Sequence, residues 1–237
     1  MKPVHTVITA AGSSRRMGGV DKLLLPLKGK PLLVRTVEPF LSFPRKGTVV
    51  VAVNPERVEE FDAMFREHFE ANAPTVTAGG EHRQESILLA LRKLQEAGPH
   101  PEDPVLIHDG ARPFVTRRLF DELLAALERF QGVIPAAPVR DTVKRVSGDS
   151  VVTTEDRETL RLVQTPQAFQ FGNLLQVHEQ AATDHFVGTD DASLLEREGQ
   201  TVGWVSGPVY NLKITVPEDL AMLEHLFDQL ESELQPG

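Results

Sequence analysis

The sequence predicts an α/β protein built on a mostly parallel, doubly wound sheet. Two observations carry this prediction. Short apolar runs rich in β-branched residues alternate with amphipathic helical patterns along the chain, the order that produces parallel sheets covered on both faces. The unusual residues, glycines and charges together, fall directly after those runs, where such sheets hold their ligands. The candidate strands are residues 4–10, 48–53, 75–77, 105–108, 133–137, 202–205 and 212–216. The first helix is expected over 31–41, opened by Pro31 at a first-turn position, and the second over 55–69, opened the same way by Pro55. A third over 83–97 places Ile87, Ala90, Leu91 and Leu94 on one face and stops at Gly98. A fourth over 116–131 starts at a Thr116 cap, carries Leu119, Phe120, Leu123, Leu124, Leu127 and Phe130, and ends at Gly132. A fifth over 217–234 closes the pattern.

The segment after the first strand is the strongest sign of function. It reads Ala10-Ala11-Gly12-Ser13-Ser14-Arg15-Arg16-Met17-Gly18-Gly19, then Asp21-Lys22. Small residues let backbone N–H groups converge on an anion. Arg15, Arg16 and Lys22 add charge suited to phosphate. It is not a Walker A loop, since Gly-Lys-Ser/Thr is missing, and it is not a Gly-x-Gly-x-x-Gly dinucleotide fingerprint. The competing reading is a surface loop with solvated arginines.

Three further groups follow later strands. Gly79-Gly80-Glu81-His82-Arg83-Gln84-Glu85-Ser86 is a glycine turn entering a helix, whose N-terminus presents free N–H groups. His108-Asp109-Gly110-Ala111-Arg112-Pro113 ends a strand. Asp109 there could hold Mg²⁺ through oxygen and Arg112 could clamp a phosphate. Asp-Gly is also an ordinary turn pair, and His108 reads as a packed strand residue. In Asn211-Leu212-Lys213-Ile214-Thr215 a lysine interrupts an apolar strand, either as a functional cation or as a guard on a sheet edge.

Residues 138–165 break the rhythm. They combine short β-branched runs, a Ser147-Gly148-Asp149 turn and many charges, with no helix to cover them. A hairpin this polar predicts an arm stabilised against a partner, or else a surface insertion. Arg140, Asp141, Thr142, Lys144, Arg157 and Thr165 belong to it.

Composition excludes several classes. The 237 residues suffice for one large α/β domain or two small ones. A net charge of −9 argues against an extended nucleic-acid-binding face. Without cysteine there are no disulfides and no thiolate metal sites. No apolar run reaches the length of a membrane span and no secretory h-region opens the chain, so a cytoplasmic location is expected.

Taken together, AAGSSRRM, Lys22, GGEHRQES, HDGARP, PVRDTVKR, QTPQ, TDDAS and NLKITVPEDL occur in an order that resembles the 2-C-methyl-D-erythritol 4-phosphate cytidylyltransferase family of the non-mevalonate isoprenoid pathway. The resemblance covers nearly the whole chain. It implies a single Rossmann-like nucleotidyltransferase domain over 1–237, a β-arm near 138–165 and a homodimer. It also implies transfer of CMP from CTP to the sugar-alcohol phosphate, with Mg²⁺ and release of pyrophosphate. Arg16, Lys22 and Lys213 match the family's catalytic cations. Ala10, Ala11, Gly12, Ser13, Gly80 and Ser86 match its nucleotide contacts, and Asp109 its ribose and metal position. Arg112, Thr142, Arg157 and Thr165 match its substrate contacts, Arg157 and Thr165 being contributed from the arm. The chain departs from many members at Ser14, Asp21 and Tyr210.

The chemistry so implied needs no general base, because the attacking phosphate oxygen is already an anion. It needs cations that bring two polyanions together and stabilise the α-phosphoryl and the leaving pyrophosphate. A ribitol 5-phosphate cytidylyltransferase would use the same loop. A UTP- or dTTP-dependent sugar-phosphate enzyme fits the short chain and its arm less well. A non-catalytic nucleotide-binding regulator would not need Arg16, Lys22, Asp109 and Lys213 together.

Overall fold

A computed structural model of the chain describes residues 2–12, 21–215 and 219–234. Its centre is an eight-stranded sheet. Strands β1 (Val4–Ala10), β4 (Lys46–Val53), β5 (Thr75–Ala78) and β6 (Pro104–Asp109) lie parallel in the order β5-β4-β1-β6. Beyond β6 come the antiparallel β11 (Gln167–Gln170), then β7 (Gly132–Pro138), then β12 (Val202–Ser206), parallel to β7. The short β10 (Arg161–Val163) pairs with the far end of β7 and, with β11, forms one antiparallel line broken at residues 164–166, where the Thr165–Pro166 peptide is cis.

Alternation along the central strands explains the double winding. Ile8, Ala10, Val49, Val51 and Val53 face one layer, which holds α1 (Leu32–Ser42), α2 (Val58–Phe69), α4 (Arg117–Ala126) and Leu223 of α7 (Asp219–Leu234). Val7, Val50, Ala52, Val105 and Ile107 face the other, which holds α3 (Arg83–Gln95), α5 (Phe171–Thr183) and α6 (Asp191–Arg197). Strands buried on both faces read as continuous apolar runs, which is why β1, β4 and β6 were legible. Among the described residues no helix is long and apolar enough to cross a membrane.

Four expectations are corrected. Residues 212–215 form no strand, and the segment is held by Ile214 N–H to the Ala111 carbonyl at 2.9 Å, by Leu212 N–H to the Tyr210 carbonyl at 2.7 Å and by complete burial of Ile214. Residue 216 lies outside the described residues. The fourth helix stops at Ala126, five residues short of the expected end at 131. The expected set of elements also lacked β11, α5 and α6. Residues 138–165 divide as well. The hairpin of β8 (Lys144–Ser147) and β9 (Ser150–Thr154) stands apart from the sheet, with Val146, Val151 and Val152 each 61% exposed. Residues 161–165 instead belong to the sheet and its margin. The small β2 (Pro26–Leu27) and β3 (Lys30–Pro31) make a separate tight hairpin before α1.

Candidate active site

The carboxyl ends of β1, β4 and β6 open onto a cleft of about 710 Å³, a volume ordinary for a small-ligand site. Ala10, Ala11 and Gly12 form one wall as β1 ends, and Gly80, Ser86 and Arg83 form another at the start of α3. Asp109 and Lys213 complete it, with Lys22 at the rim. The sequence predicts all of these except Arg83 as site residues. Ser13 and Arg16 lie outside the described residues.

The two walls are held close. A Cβ on Gly79 would stand 2.5 Å from the Ala11 Cβ, so only glycine lets the two loops meet. The buried Ser86 hydroxyl accepts from Gly80 N–H at 3.0 Å and donates to the His82 carbonyl, 3.0 Å away, which pins the glycine turn onto the first turn of α3. Ser86 therefore shapes the wall through backbone contacts.

Asp109 ends β6 and is 6% exposed. Arg83 Nε donates to its Oδ1 at 3.2 Å, while Lys213 Nζ lies 2.9 Å and Arg112 Nε 3.4 Å from its Oδ2. Burial alone would raise the pKa of this carboxyl, but Arg83, Lys213 and Arg112 together hold it well below the usual carboxylate range. One buried carboxylate thus gathers three cations, two of which, Arg83 and Lys213, line the cleft, and the local field suits an anion although the whole chain is acidic. Lys22 spans from the other side, its Nζ donating to the Ile214 carbonyl at 2.8 Å. Asp21, beside it, caps the following turn at Leu23 N–H and pairs with Arg57.

Arg112 does not line the cleft. Besides Asp109 it serves the Asn211 carbonyl, at 2.8 Å, so it braces the site from the protein side where the sequence suggested a phosphate clamp. Thr165 is likewise not on the projecting arm. It is 5% exposed, accepts from Asp109 N–H at 3.1 Å and lies 2.9 Å from His108 Nδ1. His108 is fully buried, as a packed strand residue should be, and its Nε2 donates to the Arg112 carbonyl at 2.9 Å. Thr142 and Arg157 are exposed, and neither lines the cleft of its own chain. Arg157 donates to the Arg140 carbonyl at 2.7 Å.

Arg83 and Asp191 are the residues that the sequence reading passed over. Arg83 joins Asp109 to Asp191, which α6 supplies. The signal was present in Thr189-Asp190-Asp191-Ala192-Ser193, where Asp190 caps α6 and frees its neighbour to turn inward.

Metal binding can be tested on the donors present. Among the described residues no three His, Asp or Glu side chains form a metal cage. A single carboxylate at a strand end fits a Mg²⁺ that receives its other ligands from water and phosphate, the usual way this ion is held in phosphoryl-transfer sites.

A doubly wound sheet, a small-residue turn after its first strand and a cation-ringed aspartate together define a nucleotidyltransferase. The model of the 2-C-methyl-D-erythritol 4-phosphate cytidylyltransferase family matches residues 4–229, and the chain belongs to that family. It is 40% identical over 219 residues to the protein of that name from Bacillus cytotoxicus, spanning 92% of this chain and 95% of the relative. It is also 40% identical over 226 residues to the one from Halalkalibacterium halodurans, spanning 95% and 97%. Among solved structures, 4-diphosphocytidyl-2C-methyl-D-erythritol synthase from Anaerococcus prevotii superimposes with a TM-score of 0.82 at 27% identity, covering 96% of both chains. The 2-C-methyl-D-erythritol 4-phosphate cytidylyltransferase from Thermus thermophilus gives 0.74 at 32% identity, covering 96% of this chain and all of the other.

Proposed function

We infer that this chain transfers CMP from CTP to 2-C-methyl-D-erythritol 4-phosphate, giving the CDP-alcohol and pyrophosphate. The observation that carries the reading is the grouping of Arg83, Lys213 and Arg112 around Asp109 in a cleft walled by Ala10, Ala11, Gly12 and Gly80, in a member of this family. The small wall residues leave backbone groups to read a pyrimidine edge, with Ser86 shaping that wall. Asp109 takes the ribose and would hold Mg²⁺, which supplies charge neutralisation on the phosphates when bound. Lys22, with Ser13 and Arg16 of the segment that follows β1 in sequence, binds the triphosphate and stabilises the departing pyrophosphate. Lys213 sits where the acceptor phosphate and the α-phosphoryl meet, and it is 41% exposed, open enough to reach both. The acceptor phosphate attacks as an anion, so orientation and charge stabilisation supply the rate.

The arm completes the acceptor subsite in a homodimer. Thr142 and Arg157 stand exposed and outside their own cleft, and exposed valines on the hairpin give a second copy an apolar surface to cover. Arg112 and Thr165 support that subsite from below, through Asp109. The enzyme works in the cytoplasm on small anionic metabolites and needs no nucleic acid.

Pyrophosphate release tests the reading. CTP with methylerythritol phosphate should turn over well above CTP with ribitol 5-phosphate, and above ATP, GTP or UTP with the same acceptor. Equal or better turnover with ribitol 5-phosphate, or with another nucleotide, would replace it.

A further inference from the structure

Arg83 stands at the cleft end of a line of charged contacts that runs into the interior. Its Nε donates to Asp109 Oδ1 at 3.2 Å and its Nη1 donates to Asp191 Oδ2 at 2.8 Å. Asp191 is 1% exposed, and its other oxygen accepts from His178 Nε2 at 3.0 Å. His178, on α5, is equally buried, and its Nδ1 has no hydrogen-bond partner among the described residues. Among the described residues the polar tie of this ring is therefore the one to Asp191.

A guanidinium is a planar fork, so fixing one nitrogen fixes where the others point. Asp191 fixes Nη1, and Nε then faces Asp109. The partners on Oδ2 are of another kind: Lys213 is a flexible ammonium, 41% exposed, and Arg112 reaches it only at 3.4 Å. Arg83 thus fixes the carboxylate plane from the Oδ1 side, its own fork held by Asp191. A carboxylate buried as deeply as Asp191 is costly unless it is fully engaged, and here it is engaged by a residue that faces the ligand cleft.

We propose that Asp191 and His178 are positioning residues for the nucleotide subsite: they orient Arg83, and Arg83 sets Asp109, without either of them touching the nucleotide. The proposal rests on the reading of Asp109 as a nucleotide contact. The competing account is a charge cluster that only ties α5 and α6 to the sheet.

The two accounts differ in coupling, which calorimetric titration with CTP measures on the folded proteins. Asp191→Asn should raise the Kd for CTP on the order of tenfold, as loss of a supporting partner behind a ligand-binding side chain does elsewhere. With Asp109→Asn already present, Asp191→Asn should change the Kd by less than about twofold, because the route it acts through is gone. His178→Gln keeps an N–H donor and should bind CTP as the wild type does, whereas His178→Leu should follow Asp191→Asn. This histidine pair decides if the double variant fails to fold. An equal loss in both Asp109 backgrounds overturns the proposal. So does a lowered Tm with unchanged CTP binding in Asp191→Asn and His178→Leu. Wild-type turnover of CTP is the separate control: its absence refutes the functional reading, while an active wild type with unaffected variants refutes only the positioning role.

Discussion

Thr165 Oγ1 and His108 Nδ1 lie 2.9 Å apart in a region closed to solvent. Since His108 Nε2 must donate to the Arg112 carbonyl, Nδ1 is the acceptor and the threonine hydroxyl is the donor. The same oxygen takes the Asp109 N–H. One hydroxyl therefore satisfies two buried groups at the end of β6. Thr165→Val should lower stability by roughly 1–3 kcal/mol, the cost of leaving such groups unpaired, while Thr165→Ser stays near wild type. Denaturant melts of the two variants give the comparison, and equal midpoints would remove this role.

Acid sensitivity follows from the same histidine. Burial pushes the His108 pKa from 6.5 down to about 4. Burial also lowers His5, against the opposing pull of Asp103. Between these values the unfolded chain binds protons that the folded chain refuses, so stability falls as pH falls from about 6.5 towards 4. For His108 alone the loss amounts to roughly 3 kcal/mol over that window. Asp109 and Asp191, both held low, contribute stability above 3.8 and lose it only below, so they do not blur the histidine window. A Tm that stayed flat from pH 7 to 4.5 would contradict the burial of these rings.

Lys22 donates to a carbonyl at the cleft rim and anchors no hydrophobic cluster. Lys22→Ala should cost on the order of a hundredfold in kcat with little change in Tm. Arg16→Ala should behave alike. A variant that melts early but turns over normally would make Lys22 a structural residue.

Asp109→Asn keeps the shape of the side chain and removes its charge. Its magnesium titration, read by pyrophosphate release, should shift to higher concentration. The Tm should fall as well, because Arg83 and Arg112 lose a buried counter-charge. An unchanged metal dependence would restrict Asp109 to bracing its three cations.

The arm makes a prediction that two impaired proteins can test. Arg157→Ala should raise the KM for the acceptor and spare CTP binding. Mixed with Lys22→Ala protein under conditions of subunit exchange, it should recover activity, since one heterodimer site would pair an intact loop with an intact arm. Proven exchange without recovery, or a monomer in solution, would show that Arg157 does not act across an interface.

The sequence disclosed what depends on local pattern. Strands β1, β4 and β6 are apolar on both faces, Ala10 and Asp109 end two of them and Gly80 sits in a glycine pair after β5, so fold and cleft could be read together. It hid what depends on pairing at a distance. Gln167–Gln170 carries one strong apolar residue, Phe169, and becomes a strand only because β6 and β7 flank it. Lys213 looked like a residue within a strand because Leu212 and Ile214 are apolar, yet Ile214 is buried against the loop at Ala111 rather than in a ladder. The contacts of Arg112 and Thr165 were hidden because their partners, the Asn211 carbonyl and His108, are 99 and 57 residues away. Arg83 stood in plain view in a motif; its importance came only with Asp191, 108 positions further on.

The arm leaves the sheet from the end of β7 and returns through β10, which lies antiparallel against that same end. Its two roots are therefore clamped side by side. The hairpin between them can grow, shrink or change its sequence while the roots stay where the sheet holds them, since a longer excursion between fixed ends adds little entropy. Gln164, Thr165 and Pro166 follow and lead into β11, beside the strand that carries Asp109. The architecture separates a hairpin whose sequence is free to diverge from a cleft edge that must not move, and a few residues of ordinary strand pairing form the boundary between them.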